Sequence, residues 1–534
     1  MTNQVDLDLI LNELGHFGKY QIRNYCLILL TIIFCAIYNS QYVFAAGAIE
    51  YRCRVPECEA NSPEFIPDVW GTWALPAGSD GRCARFQPIS EECSPGSFLF
   101  NQTKTCTSWV YENNDTIVAA FDLACEEWKR TLVGTIHSTG LFISLAITGF
   151  VSDNYGRRVA LVLTATLPAV VGTIRAFSTS YGMYLSLELL DAIVGGGIYT
   201  TSFVLALEMV GISKRVLGGN LISCCYAIGQ VITALIAWVV PYWSTYTIII
   251  YVPSILFLSY YWLIEESVRW LLSKGQKKEA TRILFKVAEI NNKKLSPESI
   301  KLLTEDDIKI EGKTSLQADD KMKKPSLFIQ VVKSKSIMFR LCICAFWWIT
   351  LTFVYYGLSI NSVSLAGNKY VNYILTCLVE IPGYCLSAIL LDRAGRKSSI
   401  MTAFLICSAS LITIPFVPNT LPWLQTTLNL LGKLFISMAF SSIYIYTGEL
   451  FPTQARHSLL GLCSMAGRIG AIIAPQTPLL MEYMESLPYL VFGVMAGISG
   501  LLMVLTPETL AMKLPDTIEQ AENISSKKPK QTTE

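Results

Sequence analysis

The sequence predicts an all-α membrane protein: twelve transmembrane helices in two groups of six, with a large disulfide-rich extracellular loop near the start. Three observations carry that prediction. Of the 534 residues, 52% are hydrophobic and only 16% are charged, whereas soluble domains carry about a quarter charged residues. Apolar stretches long enough to cross a bilayer, roughly 20 residues at about 1.5 Å each, recur along the chain. Basic residues gather in alternate gaps between those stretches. This pattern excludes a disordered chain, a fibrous repeat and an ordinary soluble enzyme. The net charge of +1, from 42 Lys+Arg against 41 Asp+Glu, offers no electrostatic basis for binding nucleic acid.

Residues 1–24 are polar and mixed in charge, without the short apolar core and small-residue cleavage site of a secretory leader. The first apolar stretch is therefore read as a retained anchor after a cytoplasmic N-terminus. Six stretches run near Tyr25–Gly47, Thr131–Val151, Val159–Phe177, Gly182–Leu207, Leu221–Val240 and Tyr246–Ile264. They form an N-terminal unit, 25–264, interrupted by the hydrophilic loop 50–129. A charged middle segment, 265–340, follows. Six more stretches run near Leu341–Ile360, Val371–Leu391, Ser399–Phe416, Leu421–Tyr446, Leu460–Leu480 and Pro488–Leu505. They form the C-terminal unit, 341–505, ahead of a polar tail, 506–534.

Orientation follows from the excess of basic residues on the cytoplasmic side. Lys19 and Arg23 precede the first stretch, which sets the N-terminus inside. The short loops that then fall inside carry Arg157, Arg158, Lys214, Arg215, Arg393, Arg396, Lys397 and Arg456, and the middle segment holds 17 Lys+Arg. The outer loop has five between Glu50 and Trp128. Lys369 and Arg175, at outer ends, run against the rule. An even number of crossings returns the C-terminus to the cytoplasm, so a multi-pass plasma-membrane protein with both termini inside is expected.

Six of the 16 cysteines, Cys53, Cys58, Cys83, Cys93, Cys106 and Cys125, lie in the outer loop. An even number in an oxidising compartment fits three disulfides, whose connectivity the sequence leaves open among 15 pairings. Asn101-Gln-Thr103 and Asn114-Asp-Thr116 in the same loop fit the glycosylation acceptor pattern. Asn523-Ile-Ser525 fits it too, but falls in the cytoplasmic tail. With three histidines and no Cys/His spacing for zinc, no metal site is expected.

At the inner ends one motif occurs twice. Gly149-Phe-Val-Ser-Asp153-Asn-Tyr-Gly156-Arg157-Arg158 follows the second stretch, and Leu391-Asp392-Arg393-Ala-Gly395-Arg396-Lys397 follows the eighth. The repeat at matching places marks two related halves. Further acid and arginine pairs stand near: Glu208 at the end of stretch four, Glu265-Glu266-Ser267-Val268-Arg269-Trp270 after stretch six, Glu449 with Arg456 after stretch ten, and Thr506-Pro507-Glu508-Thr509 after stretch twelve. These read as conformational latches between the halves, with acids meeting helix termini and arginines.

Ionisable residues inside an apolar stretch cost at least roughly 2.5 kcal/mol each on insertion scales, so they face a cavity or a partner. Glu380, Lys433 and Arg468 lie in stretches eight, ten and eleven, and Glu188 and Asp191 lie early in stretch four. The expected site binds opposite charges on one solute, with Arg468 taking a carboxylate and Glu380 an ammonium. The competing reading is a buried network among Glu380, Lys433 and Arg468 themselves, and the mixed reading is an internal pair that cargo displaces. Aromatic faces add a site for a quaternary ammonium, worth on the order of 1–2 kcal/mol when desolvated. The candidates are Trp347, Tyr355, Tyr356, Tyr226, Tyr444 and Tyr446. Gly357 favours Tyr355 and Tyr356 by allowing close backbone approach. In the middle segment, Lys277-Lys278-Glu279-Ala280-Thr-Arg282-Ile-Leu-Phe-Lys286 has helical amphipathic spacing and is expected to lie along the inner membrane face. Lys293–Lys324 reads as a flexible charged stretch.

The chain as a whole resembles the major facilitator superfamily, and within it the organic ion transporters of solute carrier family 22. The residues that carry the resemblance are the six-cysteine outer loop, Leu431-Gly-Lys433, and Tyr444-Ile-Tyr446-Thr-Gly-Glu449-Leu-Phe-Pro452. Sugar porters share the Arg-Trp-Leu and Pro-Glu-Thr endings but lack that loop. Asn154 departs from the family motif, which usually has a basic residue there, and Glu265 and Val268 replace two of its prolines. The resemblance implies the major facilitator fold of two six-helix bundles rocking about a midplane site. It also implies that an arginine at 468 goes with anion and carnitine-type members, and an acid at 380 with cation and carnitine-type members. The combination predicts a carrier of organic cations or carnitine-like zwitterions. The alternatives are an organic anion exchanger and a non-transporting surface receptor. No phosphate-binding Gly-x-x-x-x-Gly-Lys-Ser/Thr loop occurs, so ATP drive is not expected; a coupling ion, Na or H, would be the only accessory besides the solute and the lipid bilayer.

Overall fold

The computed structural model describes residues 10, 13–15, 18–59, 63–76, 78, 80–210, 215–297, 299–300, 331, 333–418, 420–510, 512, 515 and 517–522. Lys214, most of the charged stretch expected at Lys293–Lys324, the Asn523 acceptor pattern and the end of the tail lie outside them. Among the described residues twelve helices are long and apolar enough to cross a membrane. Spans 1–6 are Lys19–Ala45, Glu127–Tyr155, Arg157–Arg175, Tyr181–Glu208, Gly218–Val239 and Trp243–Leu263. Spans 7–12 are Lys335–Ser364, Lys369–Arg393, Arg396–Phe416, Pro422–Leu450, Ser458–Glu482 and Leu487–Leu505. Several start earlier than the apolar stretches do, because a helix continues past hydrocarbon to its polar cap. Span 7, for example, begins where the Ser334 hydroxyl accepts from the Ile337 N–H at 3.3 Å.

Two apolar cores follow the two groups of six, with Tyr373 and Cys377 of span 8 joining the first. Tyr25, Ile32, Leu161, Tyr184 and Tyr251 belong to the first, and Trp347, Trp348, Phe404, Tyr446 and Phe492 to the second. Helices break where the sequence forces them to. Span 8 divides into Lys369–Leu378 and Glu380–Arg393; Pro382 has no N–H and crowds the carbonyl four residues back, at Leu378. Span 4 divides into Tyr181–Gly195 and Ile198–Glu208 around Gly196 and Gly197. At Gly196 a side chain would sit 2.8 Å from Ser144 Cβ, so the missing side chain lets span 2 close on span 4.

The outer loop folds as a small unit of four strands: β1 (Tyr51–Cys53), β2 (Ala84–Pro88), β3 (Phe98–Thr105) and β4 (Trp109–Tyr111). β1 pairs antiparallel with β4, and β2 with β3, with a shift in register at Phe86/Gln87. The pairing left open by the sequence is Cys53–Cys106, Cys58–Cys93 and Cys83–Cys125, with Cα separations of 5.7, 4.9 and 5.8 Å. Three crosslinks supplement a core too small to hold the loop alone, centred on Val55, Ala74 and Phe98. Asn101 and Asn114 are exposed on it.

At the inner end the amphipathic helix is Lys277–Ile290. Its apolar face packs on protein. Ala280, Ile283, Leu284 and Val287 are buried against Trp270, Leu271, Ile10, Leu14 and Tyr20. Asn291 ties this helix to the start of span 1: its Oδ1 accepts from the Tyr20 N–H at 3.0 Å, and its amide donates to Leu14 O and Gln21.

Candidate functional site

The two halves meet at the outer end. Gln476 of span 11 accepts from Thr131 and donates to Thr135 of span 2, at 3.0 and 2.7 Å. Tyr370 of span 8 stacks on Phe44 and Trp238, of spans 1 and 5, at 5.5 and 5.8 Å. At the inner end, among the described residues, no hydrogen bond or ion pair joins one half to the other. The conformation described thus joins the halves by polar contacts at the end that carries the cysteine-rich loop.

The paired motifs expected to latch the halves together are instead closed within each half. Glu266 accepts from the Arg157 and Arg158 N–H groups at 2.9 and 3.2 Å, capping span 3. Glu508 does the same for Arg396 and Lys397 at 2.9 and 3.0 Å, capping span 9. Arg157 bonds Asp153 at 2.8 Å and lies 3.6 Å from Glu208; Arg396 bonds Asp392 at 2.9 Å and lies 3.5 Å from Glu449. The turns carrying both sets need glycine, since Gly156 and Gly395 have φ of 104° and 95°. Burial pushes the Glu266 carboxyl above its ordinary range, while the N–H groups it caps hold it down. Arg269 lies half-buried in the short helix Val268–Ser273, Arg393 is exposed, and Arg456 reaches Phe451 O at 3.4 Å. Each acid works on its own half because the chain leaving span 6 or span 12 returns directly beneath span 3 or span 9.

At mid-depth in the second half, Glu380 and Lys433 are fully buried and paired at 2.9 Å. Tyr355 and Tyr384 donate to Glu380 Oε2 at 2.6 and 3.1 Å. Lys433 also donates to Tyr355 O and Ser359 at 3.0 and 2.7 Å, and its ammonium sits 3.3 Å from the Tyr355 ring centroid. In this conformation Glu380, Lys433 and Tyr355 are partnered with one another, which is the arrangement of the buried network and of the internal pair that cargo would displace. Trp347 is likewise a core residue. It is buried against Tyr446, and its indole donates to Ser499 O at 3.1 Å.

Arg468 behaves differently. It is half-buried and, among the described residues, makes no ion pair or hydrogen bond. It lies within electrostatic reach of Tyr356 and Tyr444 in its own half, and of Cys35 across the opening. Tyr199 and Tyr226 approach from the other half; their rings meet at 5.7 Å, and they lie within reach of Tyr444 and Tyr356 respectively. Tyr444 is exposed, with its ring edge-on to Trp348 at 4.4 Å. Four tyrosines and an unmatched guanidinium thus converge between the halves. Tyr199 was not among the expected residues; a tyrosine two positions after the Gly195-Gly196-Gly197 break could have signalled it.

The first half holds a second buried cluster. Arg175 is 0% exposed and pairs with Glu188 and, at 2.9 Å, with Asp191. Tyr251 donates to Asp191. Gln41 donates to Glu188 at 3.0 Å, and His137 Nδ1 lies 2.8 Å from it. Arg175 was an exception to the basic-inside pattern because it answers two carboxylates, not the lipid surface. His137, Gln41 and Asn39 carried a signal that went unused, as polar side chains inside apolar stretches.

The model of the family described as "Sugar (and other) transporter" matches residues 97–520. An organic cation transporter protein of Drosophila melanogaster is 33% identical, covering 98% of this chain and 96% of its own. Solute carrier family 22 member 3 of Mus musculus is 31% identical over 97% and 96%, and organic anion transporter 3 of Oryctolagus cuniculus 30% over 98% and 95%. The xylose transporter XylE of E. coli, in a partially occluded inward-open conformation, superposes with a TM-score of 0.60 over 92% of this chain and 99% of that one, at 14% identity. The fold is that of the major facilitator superfamily, and the protein is a multi-pass membrane transporter rather than an enzyme. More narrowly, the chain belongs to solute carrier family 22, the organic-ion transporters of that superfamily.

Proposed function

We propose that this transporter carries small organic ions bearing a carboxylate, carnitine-like zwitterions foremost, across the plasma membrane by alternating access, with both termini in the cytoplasm. The observation that carries the reading is Arg468, an unmatched guanidinium beside Tyr356 and Tyr444. A guanidinium binds a carboxylate through two parallel hydrogen bonds, while tyrosine faces attract an ammonium. Solute charge sets direction, since moving one net charge through 100 mV is worth about 2.3 kcal/mol. Asn101 and Asn114 on the outer loop are the proposed glycan acceptors.

A second reading, an organic anion exchanger, is favoured by the Glu380–Lys433 pair, which leaves Arg468 as the dominant free charge at the opening. One of the similar chains is named an organic anion transporter. Uptake of labelled carnitine, tetraethylammonium and a dicarboxylate into cells expressing the protein separates these readings. Saturable carnitine flux, inhibited by carboxylates, is expected. Flux of the dicarboxylate without carnitine establishes the exchanger, and flux of tetraethylammonium alone overturns both. Surface expression with no saturable flux of a wider panel of cations, anions and zwitterions points to a receptor.

A further inference from the structure

The buried cluster of the first half does not balance. Arg175 supplies one positive charge against the two carboxylates of Glu188 and Asp191, and all three are at most 3% exposed. An unmatched charge at mid-depth is expensive, and His137 is the group placed to match it. Its Nδ1 lies 2.8 Å from Glu188 Oε1, and its Nε2 lies 3.3 Å from Asn39 Oδ1. Both ring nitrogens thus face acceptors. Asn39 turns its oxygen to the histidine because its NH2 group donates to Tyr226 and to Cys35 Sγ, at 3.3 and 3.5 Å. A neutral imidazole carries one N–H and satisfies one of these acceptors; an imidazolium carries two and satisfies both.

We infer that His137 is a proton-binding site coupled to transport: it holds a proton in the conformation described and returns it when the cycle turns. The inference rests on the transport reading above. With the proton on His137 the cluster holds two positive and two negative charges; without it the cluster is net negative by one unless Asp191, beside Arg175 and Tyr251, takes the proton instead, which the histidine spectrum distinguishes. No oxidant or co-reactant is needed, because the proton is exchanged with water. The route is short. A small cavity lined by Cys35, Tyr38, Asn39, His137, Asp191 and Gly195 borders the histidine, and Asn39 leads to Tyr226, which stands against Tyr199 at the wall of the opening. The charged groups around His137 are Glu188 and Asp191 from span 4 and Arg175 from span 3. The neutral titratable groups are Cys35, Tyr38 and Tyr42 from span 1, Tyr184 from span 4, Tyr226 from span 5 and Tyr251 from span 6. None of the neutral groups supplies a positive charge in place of the proton.

Two measurements test this. The chain has three histidines, so nitrogen-15 NMR of the purified, histidine-labelled protein can isolate the signal that H137Q removes. A signal with both nitrogens protonated near neutral pH is expected; a neutral imidazole at 137 overturns the proposal. In proteoliposomes, a one-unit pH gradient is expected to change the steady-state accumulation of labelled carnitine about tenfold at one proton per solute, and H137Q is expected to abolish that dependence. Accumulation that ignores the gradient while carnitine still crosses overturns the proton site and leaves the transport reading standing. Absence of carnitine flux counts against the transport reading, and the histidine spectrum still decides the proton.

Discussion

The two halves are nearly superimposable in chemistry at their inner ends and quite unlike each other at mid-depth. Inside, Glu266 and Glu508 cap spans 3 and 9 in the same way, and Arg157 and Arg396 make matching bonds to Asp153 and Asp392. At mid-depth the second half pairs one lysine with one carboxylate and satisfies both with tyrosines and a serine. The first half sets one arginine against two carboxylates and brings in a histidine. The repeated parts hold helices together within each half, so a rigid rocking of the halves would leave them intact. On the proposed function the divergent parts do the transport, and that work differs: one half would present Arg468 to the cargo while Glu380 and Lys433 pair, and the other would hold a charge imbalance that a proton relieves.

The comparison can be broken by removing charges one at a time. Arg175→Met leaves two buried carboxylates, and loss of one partner of a buried pair costs about 3–5 kcal/mol. The largest fall in folded yield and melting temperature is therefore expected here, and adding Glu188→Gln should restore it only in part, because Asp191 loses its direct ion partner and His137 contacts position 188 instead. Lys433→Met leaves one buried carboxylate and should cost about 3–5 kcal/mol as well, at the lower end. In this half the second change, Glu380→Gln, should recover most of the loss, since the pair balances one to one. A double variant as unstable as Lys433→Met alone would mean that the pair is not self-contained. The smallest effects belong to the repeated parts. Glu266→Gln and Glu508→Gln each remove a carboxylate from a helix N-terminus, worth roughly 0.5–2 kcal/mol, and the two shifts in melting temperature should agree. Clearly unequal shifts would show that the inner ends are not equivalent.

The parts of this arrangement that were legible in the sequence are the local ones. A stretch of apolar residues reports its own length, a basic loop reports its side, and the Asp153 and Asp392 motifs repeat visibly. Partnerships were not legible. Nothing near Lys433 marks Glu380, 53 positions earlier, as its counterion; that pairing follows from how span 8, broken ahead of Pro382, packs on spans 7 and 10. For the same reason Glu380 and Tyr355 read as cargo-binding groups, and Arg175 as an anomaly of orientation. The latches were assigned between halves because a pair of matching motifs suggests a joint, whereas the chain path returns each acid to its own half. The disulfide connectivity likewise depended on the fold of the outer loop.

The claim on which the proposed function depends is that Arg468, which has no ion pair among the described residues, is the mid-depth positive charge that meets the cargo. Its most direct test compares Arg468→Ala with the unmodified protein for uptake of carnitine and of tetraethylammonium in the same cells. A hydrogen-bonded charge contact is worth about 1.5–3 kcal/mol, so the carnitine-to-tetraethylammonium ratio should fall by roughly ten- to a hundredfold at unchanged surface expression. An equal loss for both solutes, with the ratio preserved, would contradict the account and give Arg468 a structural role.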